Sequence, residues 1–390
     1  MAHAALQTPP HPSAHAASND DRALDTGFEL GWDYAHHGIV PPAAHLHPLS
    51  PVRQGWEAGR TTFGQRTLHS NRFVRKWLQL RLGAWPRGRA FEGTQVNPAF
   101  LRQIDVPVCP ITRELLTHGT GEPSDASVDR VFNNAGYAAG NLAVMSTRAN
   151  VAKSGYGSDD AMAFVKQIEA GKLGQIDGLN AEHWARFAVL TSFVTPMPHA
   201  RAATLPLLVL PPNRLRVLNP VQALQVMLSL QFTRPGHGRR VAALASLMPS
   251  FEAREAFMPF MLTLLGRRVA AAPAADALAE RHAIEDLWKD PLVRRRWQRL
   301  ALRLTADDCE RICRSAVARG LAGNAVRWLT ETAATDGWAL ESGGYASEGK
   351  ADLAAVPDMS AAATVMAAGP RHLLQRPVSP GGRLSFSADA

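Results

Sequence analysis

The sequence predicts an α+β protein: a small strand–strand–helix module followed by a mostly α-helical region, with disordered tails at both ends. Three observations carry this. Apolar residues recur at helical spacing in most segments between 71 and 304. One stretch alone, 127–153, places two short β-type runs around an Asn/Gly-rich turn and follows them with a capped helix. Both ends are rich in Ala, Pro, Gly or Ser and show no apolar period.

The 390 residues suffice for two or three domains, and a hydrophobic fraction of 46% supports real cores. Residues 1–50 read as a disordered Ala/Pro/His-rich tail whose seven histidines are solvated. Residues 51–104 read as a basic helical lead-in. Ten Lys/Arg stand against three Asp/Glu between Pro51 and Pro110, so much of the net charge of +8 sits there. Within it, 71–82 predicts a helix, because Phe73, Val74, Trp77, Leu78 and Leu82 fall at helical spacing with Arg72, Arg75, Lys76 and Arg81 between them. The Gly/Pro/Arg loop 83–90 adds Arg87 and Arg89. These cations form the first candidate phosphate-binding face, and Arg295–Arg303 the second. Trp77 and Trp297 read as core anchors, not base-stacking platforms.

Residues 105–172 hold the module, and 173–342 read as a helical domain. Asn180 caps a helix to Thr195, and Asn219–Pro220 starts one to Phe232. Pro249, Pro259 and Pro273 break the following stretch into short helices. Val293, Trp297, Leu300 and Leu304 make one stripe of a further helix. Residues 343–390 read as a second disordered tail. Cys109, Cys309 and Cys313 are too few for a disulfide framework and fit a reducing compartment. No apolar run suits a signal peptide or a membrane span, so a soluble, cytoplasmic protein is expected. There is no Walker-type loop, nucleophile elbow or His-Glu-x-x-His, which argues against nucleotide hydrolysis, serine hydrolase and metalloprotease chemistry.

In the module, Ser127–Val131 suits a strand, Asn133–Gly140 a turn, and Leu142, Val144 and Met145 a second strand. Ser146 or Thr147 caps a helix carrying Asn150 and Lys153. Val128-Asp129-Arg130, Gly136-Tyr137, Gly140-Asn141-Leu142, Ser146, Asn150 and Lys153 follow in order. Cys109-Pro-Ile-Thr precedes them, with Arg113 in the next place.

This ordered set resembles the ββα-metal HNH endonucleases of phage and homing type, over about 45 residues. The family pattern has Gly where Arg113 stands. The resemblance implies an HNH-like fold, one divalent cation (Mg²⁺ or Mn²⁺) and DNA as partner. Asp129 and Asn150 would be metal ligands and Asn141 the loop-fixing amide. Arg130 stands where the family carries its general base, a histidine. Arginine is no base at neutral pH but grips phosphate. Either another group activates water, His118 being nearest in sequence, or the site binds without cutting. Arg148 and Lys153 complete the expected nucleic-acid contacts. Three functions follow: a metal-dependent endonuclease, a non-catalytic nucleic-acid-binding protein on the same scaffold, or a helical interaction protein working through 173–342.

Overall fold

A computed structural model describes residues 19–171, 173–233, 235–271, 273–322, 327–329 and 383–385. The chain divides into two compact units, one formed by Met1–Ala90 and one chiefly by Phe91–Ser342.

The first unit consists of α1 (Asn19–His36), α2 (Pro51–Phe63) and α3 (Arg72–Ala84). The expected disordered tail 1–50 is thus corrected from residue 19 onward; residues 1–18 lie outside the described residues. The sequence hides α1 because its packing face is built partly of glycine. Leu30, Tyr34, Val52, Val74, Leu78 and Leu82 make the core, but the helices meet at Gly31 and Gly55. A Cβ at Gly31 would stand 1.9 Å from the Val52 carbonyl oxygen, and one at Gly55 1.9 Å from that of Phe28. Gly31→Ala is therefore expected to push α1 off α2 and cost about 1–3 kcal/mol. Chemical denaturation of the full chain checks this; an unchanged midpoint would contradict the close approach. Asn71 caps α3 by accepting from the Phe73 and Val74 amides.

In the second unit, α4 (Pro98–Gln103) precedes β1 (Ala126–Arg130), β2 (Leu142–Ser146) and α5 (Thr147–Lys153). β1 and β2 pair antiparallel, with Asp129 opposite Ala143. Helices α6 (Ser158–Glu169), α7 (Ala181–Phe193) and α8 (His199–Thr204) follow. Then come β3 (Arg216–Val217), α9 (Pro220–Ser229), α10 (His237–Ala245), α11 (Phe251–Ala270), α12 (Ala277–Leu287), α13 (Pro291–Ala301) and α14 (Ala306–Ala318). Short strands β4 (Arg327–Leu329) and β5 (Arg383–Ser385) join β3 in the order β3-β5-β4. Apart from β5, the expected tail 343–390 lies outside the described residues. The chain is α+β and chiefly helical. No described helix is long and apolar enough to cross a membrane.

Two further expectations change. The module 105–172 and the helices after 173 are not separate domains. Ile111, Val131, Met145 and Ala149 share one core with Trp184, Phe187, Phe260, Trp288 and Trp297; a two-stranded hairpin is marginal alone and gains stability by packing on helices. Pro259 does not break the chain either: it lies inside the 20-residue α11. It is exposed, so the carbonyl it leaves without a helical partner can face water. The Pro259 carbonyl itself accepts from Thr263 Oγ1 at 2.7 Å and Arg296 Nη1 at 2.9 Å.

Candidate functional site

The site is the β1–β2–α5 unit. Its loop is fixed by Asn141, which is fully buried. The Asn141 Oδ1 accepts from the Phe132 amide at 2.9 Å; Nδ2 donates to the carbonyls of Phe132 at 3.1 Å and Gly136 at 3.0 Å. This side chain adds to the backbone bonds that close the turn, Val131 N to Asn141 O at 2.8 Å and Asn141 N to Ala138 O at 3.0 Å. Arg130 closes it from the other side. Its Nη1 donates to the Asn133 and Ala135 carbonyls, each at 2.9 Å, and its guanidinium lies over the Tyr137 ring. The expectation that Arg130 grips phosphate is corrected: the group caps carbonyls of its own loop.

Helix α5 begins at Ser146, whose Oγ accepts from the Ala149 amide at 3.3 Å. Residues 127 and 129 share a face of β1, and 150 and 153 are neighbours on one face of α5. The two faces meet. Asn150 Nδ2 donates to Ser127 Oγ at 2.8 Å. Lys153 Nζ donates to Asp129 Oδ1 at 3.1 Å and to the Arg130 carbonyl and Asn133 Oδ1, both at 2.9 Å. Asp129 Oδ2 is 3.0 Å from the same ammonium, an ion-pair contact outside hydrogen-bond geometry. Lys153 is 1% exposed and Asp129 6%. Burial pushes the Asp129 carboxyl above its ordinary range, and the Lys153 charge opposes the shift.

These contacts test the expected divalent cation. Mg²⁺ and Mn²⁺ want several oxygen donors and room for water. Here Asn150 is turned to Ser127, and the cation position beside Asp129 is filled by an ammonium. A divalent ion there would stand against a buried positive charge, so the residues as arranged do not fit it. Among the described residues no three His, Cys, Asp or Glu side chains converge. Lys153, expected to reach nucleic acid, is buried and cannot.

His118 is exposed, and among the described residues it makes no hydrogen bond or ion pair with Asp129. The residue before it, Thr117, is held at the start of β1, its carbonyl accepting from the Ala126 amide at 2.8 Å. Asp129 lies three residues further along the strand, about 10 Å away. The loop carrying His118 is organised by Asp125, whose carboxylate accepts from Thr117 Oγ1, the Thr120 amide and hydroxyl, and the Gly121 amide. Those bonds, led by Thr117, hold Asp125 well below the usual carboxylate range.

Arg113 has φ +59°, a conformation that suits glycine. Its guanidinium reaches α12, donating to Asp286 at 2.9 Å and to the buried Glu285 at 3.0 Å. Those ion pairs hold an arginine where the related pattern has glycine. Cys109 is a buried turn residue; its Sγ accepts from the Thr112 and Ser146 amides. Arg148 is half-exposed, 3.6 Å from Glu114. In the first unit Arg72, Arg75 and Arg87 are exposed, and Lys76 and Arg89 half-buried. Sequence reasoning missed Asn133, read only as a turn residue. Its Nδ2 donates to the Ser154 carbonyl at 2.9 Å while its Oδ1 faces Lys153.

Comparison of the chain with family models, curated proteins and solved structures finds no match in any of the three.

Proposed function

We propose that the chain is a nucleic-acid-binding protein on an HNH-like ββα scaffold whose cation position is held by its own lysine, and that it binds without cutting. The observation that carries this is the Lys153 ammonium, packed among Asp129, the Arg130 carbonyl and Asn133 where the resemblance would have a metal. Arg130 turns Nη1 onto carbonyls of its own loop, and among the described residues no histidine hydrogen-bonds or ion-pairs with Asp129. Binding is supported by charge. Between Pro51 and Ala90 nine Lys/Arg stand against one acidic residue. Of these, Arg81 is buried against Asp33, while Arg66, Arg72 and Arg75 are exposed.

The test is affinity for duplex and single-stranded DNA across a salt series. A log–log slope of about −4 or steeper is expected, since each neutralised phosphate contributes about −0.9. Replacing Arg66, Arg72 and Arg75 together with Glu should weaken binding by at least tenfold and flatten that slope by roughly 2–3. Supercoiled plasmid with Mg²⁺ or Mn²⁺ should stay intact. No affinity at low salt would remove the binding reading. Metal-dependent nicking abolished by Asp129→Ala would restore the nuclease reading.

A further inference from the structure

The contact between Lys153 and Asn133 has a chemistry of its own. A buried lysine amine lies within reach of both a carboxamide and a carboxyl group. Lys153 Nζ is 2.9 Å from Asn133 Oδ1, which places it roughly 3.5–4 Å from the amide carbon Cγ. That is close to the separation of a near-attack pair, about 3–3.5 Å. The amide cannot turn away freely, because Nδ2 is held by the Ser154 carbonyl at 2.9 Å. Asp129 touches the same nitrogen with both oxygens, at 3.0 and 3.1 Å.

We propose that Lys153 and Asn133 form an intramolecular amide cross-link tying α5 to the turn after β1, with Asp129 as the proton carrier. The ammonium passes one proton to the Asp129 carboxylate. The freed Nζ lone pair adds to Asn133 Cγ, and the C=O electron pair moves onto Oδ1. Asp129 returns its proton to Nδ2, the C–N bond to Nδ2 breaks, and the carbonyl re-forms. The remaining excess proton of Nζ leaves with the departing nitrogen. The balance is one ammonium plus one primary amide giving one secondary amide and one ammonium ion. Nothing is oxidised or reduced and no co-reactant is needed. Three features favour the step. The nucleophile and the amide belong to one folded unit, so the entropy of bringing them together is already spent. Burial keeps Nζ desolvated, so its freed lone pair is not masked by water. Burial also raises Asp129 toward the protonated form that the step passes through.

The test is mass spectrometry of the purified full-length chain after prolonged incubation at physiological temperature. The intact protein should be lighter than its sequence by one ammonia. Proteolysis should yield a branched peptide joining the Asn133 segment to the Lys153 segment. Lys153→Arg keeps the charge but removes the nucleophile, and Asn133→Ala removes the acceptor carbon; both should restore the full mass. Asp129→Ala should slow or abolish the loss. The wild-type mass alone is decisive, so the result does not depend on any variant folding. An unmodified wild-type chain would overturn the proposal. So would an ammonia loss confined to a linear peptide, the mark of a cyclic imide at Asn133–Asn134. Loss of water with a bond to Asp129 would overturn the assignment of Asn133.

Discussion

Replacing Lys153 with methionine is expected to destabilise the second unit by about 3–5 kcal/mol, the usual cost of breaking a buried ion pair from one side. Methionine fits the volume and packs against the same apolar walls, so little of the loss is cavity. The cost comes from Asp129, left buried without a counter-charge, and from the Arg130 carbonyl and Asn133 amide, left with one donor fewer. The intact pair itself adds little net stability, because the desolvation of both groups offsets their attraction. A second substitution therefore discriminates. Asp129→Leu added to Lys153→Met removes the orphan charge and should recover half or more of the loss. Urea denaturation of the two variants and of the parent, before any Lys153–Asn133 cross-link has formed, measures this. A loss below about 1 kcal/mol for Lys153→Met would mean that the ammonium is not held as described.

The second large effect is expected at Asn141. Changing it to alanine removes three hydrogen bonds to backbone groups of the β1–β2 loop. Each backbone group that stays buried without a partner costs about 1–3 kcal/mol, so a total near 3 kcal/mol is expected after the loop relaxes. The loop also carries Asn133. Its disorder should therefore free Lys153, and amide exchange at Phe132 and at Ser154 should accelerate together. Hydrogen exchange checks the coupling. Protection lost at Phe132 alone would show that the loop and the end of α5 are independent. Aspartate at the same position would keep the acceptor for Phe132 but lose both donated bonds, and should fall between the parent and alanine.

Much of this geometry is legible in the sequence because it is local. The strand, turn, strand and helix order follows from spacing and from Asn and Gly in the turn. Ser146 or Thr147 was expected as the cap, and Ser146 is. The role of Asn141 fits the position the resemblance assigns to it. Pro220 opens α9 as expected, but Asn219 does not cap it. Its amide instead donates to the Ser192 and Thr195 carbonyls and its Oδ1 accepts from Met197, partners supplied by a distant segment. Helix α1 escaped because glycine contacts carry no apolar signal: their stabilisation comes from the backbone approach that a missing Cβ allows.

What the sequence by itself determined is the strand, turn, strand and helix order of the motif and the helices that carry a clear apolar period. Periodicity, caps and turn residues act between neighbours, so they can be read along the chain. What only the tertiary structure decided is the state of each functional group. Whether Lys153 meets phosphate or Asp129, whether Arg130 faces outward or into its loop, and whether His118 reaches the strand end all depend on which face of α5 lies on β1. That choice is made by the shared core, in which Met145, Ala149 and Ala152 pack with Trp184 and Phe187. Burial on that core turns Lys153 from a solvated cation into an enclosed one. A charge removed from water must take the nearest oxygen partners in reach, and here those are Asp129, the Arg130 carbonyl and Asn133.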